Sequence, residues 1–130
     1  MLYSLTIYNE MNEGFFIGLF KSYDKARQIA QNYLSTVSGF RDYPCIYEIT
    51  EKQVIGTINN SMKVHVIWGW NEDKEGHNID IWCSDCYANL RDAEQIMADS
   101  KKHFKKQEWS LDTYLIEQCY WTDGFVRIFY

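Results

Sequence analysis

The sequence predicts an α+β fold made of two diverged copies of one ββαβ unit, and three observations support this. A short polar turn, Asn-Glu-x-x-Glu-Gly, occurs at residues 9–14 and again at residues 71–76, which is 71 − 9 = 62 positions later. Each turn lies between two apolar runs, as the loop of a β-hairpin does. Each hairpin is followed by apolar residues at helical spacing and then by a further strand-like run.

The first copy has a clear element pattern. Its predicted elements are strands at residues 2–8, 15–20 and 45–50, with a helix between residues 22 and 39. Ser22 is the expected N-cap, because its hydroxyl can accept an orphan N–H of the first helical turn. Gly39 is the expected end of the helix. Residues 53–58 either prolong the third strand or pair as a fourth.

The second copy repeats this order with about five extra residues near residues 86–90. Its predicted elements are strands at residues 63–70, 78–83, 113–120 and 126–130, with a helix that opens at Ser84-Asp85 or after a turn formed by these two residues. Beyond the extra residues the offset becomes 67, because Ala26 then corresponds to Ala93 and Tyr47 to Tyr114.

The domain organisation follows from the short link at residues 59–61. We expect a single domain, residues 1–130, with repeat 1 at 1–58 and repeat 2 at 63–130. One ββαβ unit is marginal alone, so two copies should pack on each other with pseudo-twofold symmetry. The expected architecture is a mostly antiparallel sheet with both helices packed on it.

Composition narrows the classes of function. With 46% hydrophobic and 17% aromatic residues, the chain has a globular profile. A net charge of −5 argues against a general binder of nucleic acid or of anionic membranes. The N-terminal residues lack the pattern of a signal peptide, and the densest apolar run, residues 15–20, is too short to span a bilayer. We therefore expect a cytoplasmic protein with reduced cysteines.

The first copy resembles a family of small uncharacterised bacterial ββαβ-type domains. The likeness lies in Ile-Gly-Leu-Phe-x-Ser at residues 17–22, Gly-Phe-Arg-Asp-Tyr-Pro at residues 39–44 and Ile-Tyr-Glu-Ile at residues 46–49. The second copy is similar through Ile-Trp-x-Ser at residues 81–84 and Trp-Thr-x-Gly-Phe at residues 121–125, but lacks the Gly-Phe-x-x-Tyr-Pro element. The resemblance implies a fold and no activity.

Trp82-Cys83-Ser84-Asp85-Cys86 is the strongest chemical candidate. A Cys-x-x-Cys pair between a strand and a helix is typical of thiol–disulfide oxidoreductases, with Cys83 as nucleophile and Cys86 as resolving thiol. A thioredoxin fold places a cis-proline after the motif, whereas Pro44, the chain's single proline, precedes it. In the first copy the same positions keep the serine without the thiols, so the repeat itself requires only the serine.

Other constellations favour structural roles. A structural zinc site needs four ligands, and beyond Cys83 and Cys86 the candidates are isolated: Cys45, Cys119, His65, His77 and His103. The acidic turns lack the alternating carboxylates of a calcium loop. The basic cluster at residues 101–106 complements the negative pole of a helix C-terminus. We therefore expect no metal and no cofactor.

The expected function is that of a small acidic, non-enzymatic binding protein that acts by protein–protein contact, as an inhibitor, immunity or regulatory factor. The candidate binding residues are Trp109 and Trp121, which stand beside turn-like polar residues, with Glu72 and Glu75 in the second acidic turn. Exposed sheet edges would also allow self-association. The alternatives are the thiol–disulfide oxidoreductase and a small-ligand site in the cleft between the copies.

Overall fold

A computed structural model describes residues 1–127 of the chain. The chain divides into two compact units, which we call unit 1 (Met1–Lys52 together with the residues from Ile116 onward) and unit 2 (Gln53–Leu115). Within residues 1–127, neither helix has the length and apolar character needed to cross a membrane. The predicted α+β class, with two helices and mostly antiparallel strands, is confirmed.

Unit 1 contains three strands and one helix. These are β1 (Leu2–Asn9), β2 (Gly14–Phe20), α1 (Tyr23–Thr36) and β3 (Cys45–Lys52). β1 is the central strand, and β2 and β3 both pair with it in antiparallel orientation. The Ser22 hydroxyl accepts the N–H of Lys25, which confirms the predicted N-cap of α1. The helix ends at Thr36, and Gly39, at φ 85°, redirects the chain three residues later.

The core of unit 1 lies between α1 and one face of this sheet. Its buried members are Leu5, Ile7, Phe15, Ile17, Phe20, Ala26, Ala30, Tyr33 and Phe40. The small alanines of α1 let the helix approach the larger side chains of β1 and β2. Burying these apolar side chains is the main force that holds unit 1 together.

Unit 2 contains five strands and one helix. These are β4 (Val54–Ile55), β5 (Lys63–Glu72), β6 (Asn78–Cys83), β7 (Cys86–Tyr87), α2 (Leu90–His103) and β8 (Glu108–Leu115). β8 pairs antiparallel with β5 from Lys63 to Trp70, so β6 and β7 share the opposite edge of β5. β4 pairs parallel with β7. α2 packs on a small cluster centred on Ile67, Tyr87 and Ala93.

The units have the same order of principal strands, because β1 and β5 each lie between a hairpin partner and the strand that follows the helix. The units do not follow the predicted repeat boundaries. Residues 53–55, from repeat 1, pair within unit 2, and residues from Ile116 onward, from repeat 2, belong to unit 1. The origin of the chain by duplication stays a prediction.

Two predicted elements of the second copy are wrong in position, and a third lies mostly outside the described residues. α2 begins at Leu90 with Asn89 as its N-cap, not at Ser84, because the Ser84 hydroxyl is engaged in the sheet. The last strand of unit 2 is β8, which ends at Leu115, whereas a strand was predicted at residues 113–120. Val126 and Arg127 are not in a strand, and the rest of the strand predicted at residues 126–130 lies outside the described residues.

Candidate functional site

A partly open cavity of about 460 Å³ lies on the surface of unit 1, at the end of the β1–β2 hairpin. It combines the hairpin turn with residues from the last part of the chain. Its lining residues are Met11, Glu13, Phe15, Trp121, Phe125, Val126 and Arg127. We call this the aromatic cavity, because three of its lining side chains are aromatic rings.

The hairpin turn presents Met11 from a fixed backbone. The Asn9 side-chain oxygen accepts the N–H groups of Met11 and Glu13, both at 3.0 Å. The Asn9 amide donates to the Glu13 carboxylate, also at 3.0 Å. Asparagine is suited to this role, since its short side chain can bond to the backbone of a following turn. Met11 is 60% exposed and lies at the rim of the aromatic cavity.

The floor and wall of the aromatic cavity are stacked rings. The Phe125 ring stacks on the Phe15 ring with centroids 4.7 Å apart, and the Trp121 ring meets Phe15 edge-on at 4.9 Å. Trp121 is 48% exposed and Val126 is 80% exposed. Trp121 therefore has one edge held by Phe15 while much of its ring faces solvent.

Arg127 links the cavity to the hairpin. Its guanidinium lies 3.7 Å above the centroid of the Tyr43 ring and forms an ion pair with Glu10. The hydrogen bond from Arg127 lowers the pKa of the Glu10 carboxyl and raises the pKa of Arg127. Glu13, which also lines the cavity, contributes to the raised pKa of Arg127, so Glu10, Glu13 and Arg127 together carry one net negative charge.

Cys83 and Cys86 do not lie at the start of a helix. Cys83, half-buried, ends β6, and Cys86, fully buried, begins β7. Between them, Ser84 bonds to β5: its N–H donates to the Ile67 carbonyl and its hydroxyl accepts the Ile67 N–H, both at 2.9 Å. The positive end of α2, four residues beyond Cys86, is thus not at the pair, so it cannot acidify these thiols in the way the sequence pattern predicted.

The two remaining cysteines lie in unit 1 in protected positions. Cys45 is at the start of β3, and Cys119 packs against the core. Burial raises the pKa of both thiols. A raised pKa reduces the thiolate fraction at neutral pH, which makes both thiols less reactive.

The other candidate binding residues lie in unit 2. Trp109 is half-buried, and its ring meets Trp82 edge-on at 5.9 Å, so it belongs to the cluster under α2. Glu72 and Glu75 are exposed around the second acidic turn, where Asp73 accepts the N–H groups of Glu75 and His77, both at 2.9 Å. Trp121 alone of the four predicted binding residues lines the aromatic cavity.

No group of three or more potential metal ligands occurs among residues 1–127. His65 contacts the Thr113 hydroxyl at 2.7 Å, and His103 contacts the Asp99 carbonyl at 2.8 Å. Both rings thus have local polar partners.

Comparison of the chain with protein-family models, with curated proteins and with solved structures finds no match. The resemblance to the bacterial ββαβ domains stays a prediction. The site must be judged from its own geometry.

Among the residues that line the aromatic cavity, the sequence pattern predicted Trp121 alone as a binding residue. Met11 and Val126 are single apolar residues in loop-like segments, which is common on ordinary surfaces. Arg127 is 110 or more positions from its partners Glu10 and Glu13 in the sequence (127 − 13 = 114). The one available signal was the concentration of apolar and aromatic residues after the last strand, in residues 119–130.

Proposed function

We propose that the chain is a non-enzymatic binding protein that holds a partner protein at the aromatic cavity of unit 1. The observation that carries this proposal is an exposed apolar surface formed by Met11, Trp121 and Val126 over a floor of stacked rings. Contiguous exposed apolar surface is costly in water and is typical of protein-binding sites. Tryptophan is also the residue most enriched at the energetic centre of interfaces.

The geometry supports a preorganised site. The Asn9 hydrogen bonds hold the turn that presents Met11, and the ion pair between Arg127 and Glu10 ties the last described residue to the hairpin. A surface fixed before binding loses little conformational entropy when a partner binds.

The partner chemistry follows from the charges. The cavity floor is apolar and its rim carries the Glu13 carboxylate beside the ion pair of Arg127 and Glu10, in a chain of net charge −5. A complementary partner presents an apolar side chain beside a lysine or arginine. Such complementarity accelerates association and makes binding weaken as salt rises.

Charge substitutions at the two most exposed apolar positions test this proposal. Met11→Glu and Val126→Glu should each abolish retention of a specific protein from a cell extract and weaken its affinity after purification by at least about tenfold, or 1.4 kcal/mol. Each new glutamate would bury its charge against an apolar side chain of the partner, and burying an unpaired charge costs free energy. Affinity is measured by titration calorimetry with the purified partner.

Ile46→Glu provides the matched control, because Ile46 is 71% exposed on β3 and does not line the aromatic cavity. It should retain the partner at the wild-type affinity. If Ile46→Glu weakens binding while Met11→Glu and Val126→Glu do not, the binding surface lies elsewhere and the proposal is wrong.

The two alternative functions stay predictions. The thiol–disulfide hypothesis has lost the helix start on which it depended, and titration of the thiols of Cys83 and Cys86 against pH tests it directly. No further observation favours the small-ligand cleft.

A further inference from the structure

The last described part of the chain, residues 116–127, lies on unit 1 in the manner of a bound peptide. We call it the C-terminal segment. It follows β8 of unit 2 in the sequence, yet its backbone bonds to the outer edge of β2. The N–H of Glu117 donates to the Leu19 carbonyl at 2.8 Å, and the N–H of Tyr120 donates to the Ile17 carbonyl at 2.7 Å. The segment therefore runs opposite to β2, as an added strand would.

Side chains extend this docking beyond the sheet edge. Phe125 contacts three rings of unit 1, with centroid distances of 4.7 Å to Phe15, 5.0 Å to Phe40 and 5.9 Å to Tyr43. The Tyr33 hydroxyl donates to the Tyr120 carbonyl at 2.8 Å. Main-chain bonds together with an aromatic anchor in a ring-lined site are the pattern of peptide recognition by strand addition.

The fit between the segment and its site depends on two glycines, one on each side. A Cβ atom added at Gly39 would lie 2.4 Å from the Phe125 carbonyl oxygen, and one added at Gly124 would lie 1.9 Å from the Ser38 carbonyl oxygen. Both contacts are to backbone, which cannot move aside as a flexible side chain can. The N–H of Phe125 donates to the same Ser38 carbonyl at 3.1 Å.

The connection into the segment is short and conformationally costly. β8 ends at Leu115, and Glu117 then adopts φ 70°. Trp121 adopts φ 59°. Residues with side chains are disfavoured in this left-handed region, so the docked segment holds an uncommon backbone conformation at both positions.

We propose that the C-terminal segment of one copy of this chain binds the β2 edge and ring site of unit 1 in a second copy, so that two copies exchange segments. Every contact made within one chain is reproduced in the exchanged dimer, so the cost is only that of association, which concentration overcomes. This inference does not depend on the proposed binding function.

Complementary glycine substitutions test the exchange with full-length chains. Gly39→Val blocks the site and leaves the segment intact, whereas Gly124→Val blocks the segment and leaves the site open. Neither variant can pair its own segment with its own site. When the two are mixed, the segment of the Gly39→Val chain can enter the site of the Gly124→Val chain.

The expected result is a 1:1 heterodimer, with twice the 15.5 kDa mass of one chain, in size-exclusion chromatography with light scattering. Each variant alone should elute as a monomer. A mixture that stays monomeric while circular dichroism shows both variants folded would overturn the proposal.

A labelled peptide of residues 116–127 gives an independent readout. It should bind the folded Gly124→Val chain with at least tenfold higher affinity than the wild-type chain, whose own segment competes, and a peptide carrying Gly124→Val should not bind. If Gly124→Val does not fold, Phe125→Ala, which removes a ring without adding atoms, replaces it in both experiments. Failure of the peptide to bind the folded variant contradicts the proposal.

Discussion

At the residue scale, Asp42 organises the loop between α1 and β3 by accepting hydrogen bonds from Arg41 and from the backbone of Gly39. Its carboxylate accepts the Arg41 Nε–H at 2.9 Å and the Gly39 N–H at 3.1 Å. The bond from Arg41, followed by that from Gly39, lowers the pKa of the Asp42 carboxyl below its usual value. Since the folded state favours the charged form, Asp42 stabilises the fold only while it is ionised.

The direction of the pH dependence follows from this lowered pKa. The stabilising contribution of Asp42 is complete above the ordinary aspartate pKa of about 3.9 and is lost as the pH falls through the lower pKa of the folded state. Asp42→Asn should therefore reduce stability at pH 7 and flatten the loss of thermal stability on acidification below about pH 4. Thermal unfolding followed by circular dichroism across this range measures the effect.

Asp123→Asn is the control for this prediction, because Asp123 is an exposed aspartate near the end of the same unit. It should leave the shape of the pH profile close to that of the wild type. If Asp42→Asn and Asp123→Asn give the same profile, the hydrogen bonds of Asp42 do not account for the acid sensitivity.

At the element scale, the two helices begin in equivalent ways at an offset of 67. Ser22 accepts the N–H of Lys25 at 3.1 Å, and Asn89, at 89 − 22 = 67, accepts the N–H of Arg91 at 2.8 Å. Both helices have 14 residues. Ser84, which the sequence pattern placed at the start of the second helix or just before it, instead bonds to Ile67 in the connection between β6 and β7.

Substitutions at Asn89 and Ser84 should separate a cap from a sheet contact. Asn89→Ala should lower the free energy of unfolding by about 1 kcal/mol, and Asn89→Gly by only a few tenths, since glycine is tolerated at an N-cap. Ser84→Ala and Ser84→Gly should both cost about 1–3 kcal/mol, because each leaves the buried Ile67 N–H without its acceptor. Urea unfolding measures all four values.

Glycine tolerance at Ser84 is the informative outcome. If Ser84→Gly is nearly neutral while Ser84→Ala is not, Ser84 acts as a helix cap and the assigned start of α2 is wrong. If Asn89→Gly lowers the free energy of unfolding more than Asn89→Ala does, the assigned start of α2 is likewise wrong.

The strands that follow the two helices, β3 and β8, show a second difference from the predicted correspondence between the copies. Leu5 lies opposite Ile49, and Ile67 lies opposite Leu111, so both pairs differ by 62 (67 − 5 and 111 − 49). Tyr47 packs on the core of unit 1, whereas the Tyr114 hydroxyl accepts a hydrogen bond from the Trp68 indole. The predicted correspondence of Tyr47 with Tyr114 therefore places side chains in unlike environments.

The physical reason is that two differences in chain length, one before and one after α2, offset each other. The chain between β6 and α2 includes the short strand β7, which has no counterpart in unit 1, and the connection from α2 to β8 is shorter by four residues than that from α1 to β3 (residues 104–107 against 37–44). The longer connection contains Gly-Phe-Arg-Asp-Tyr-Pro, where Phe40 enters the core of unit 1. Because strand register follows which face is buried, the tyrosine-to-tyrosine match at an offset of 67 does not join equivalent positions of the two sheets.

At the scale of the whole molecule, each unit includes residues that follow, in the sequence, the last strand of the other unit. β4 follows β3 and pairs with β7, while the C-terminal segment follows β8 and bonds to β2. The segment also brings Phe125 and Cys119 to the core of unit 1. Unit 1 thus depends on contacts of very large sequence separation.

Phe125→Ala should destabilise unit 1 in particular. The ring is half-buried against Phe15 and Phe40, so the expected loss is about 2 kcal/mol, below the 3–5 kcal/mol typical of a fully buried phenylalanine. Native-state hydrogen exchange should show reduced protection of the amides of β1 and β2. Protection of the amides of β5 should change less.

Phe104→Ala is the matched control in unit 2, because this ring is partly exposed and stacks on Trp82 at 5.2 Å. It should leave the protection of β1 and β2 at the wild-type level. Equal loss of protection in β1 for both variants would show that Phe125 has no special role in unit 1.

The sequence by itself determined the α+β class, both hairpins and the first helix with its cap. These features follow from local rules, because side-chain periodicity, turn residues and capping groups act within a few positions. The tertiary structure alone decided the start of α2, the partner of β4 and the position of the C-terminal segment. Ser84 and Asn89 are both good caps, and only the bond from the Ile67 N–H, 17 residues away, distinguishes them. The aromatic cavity was likewise decided by the tertiary structure, since Met11 and Trp121 line one cavity although they are far apart in the sequence.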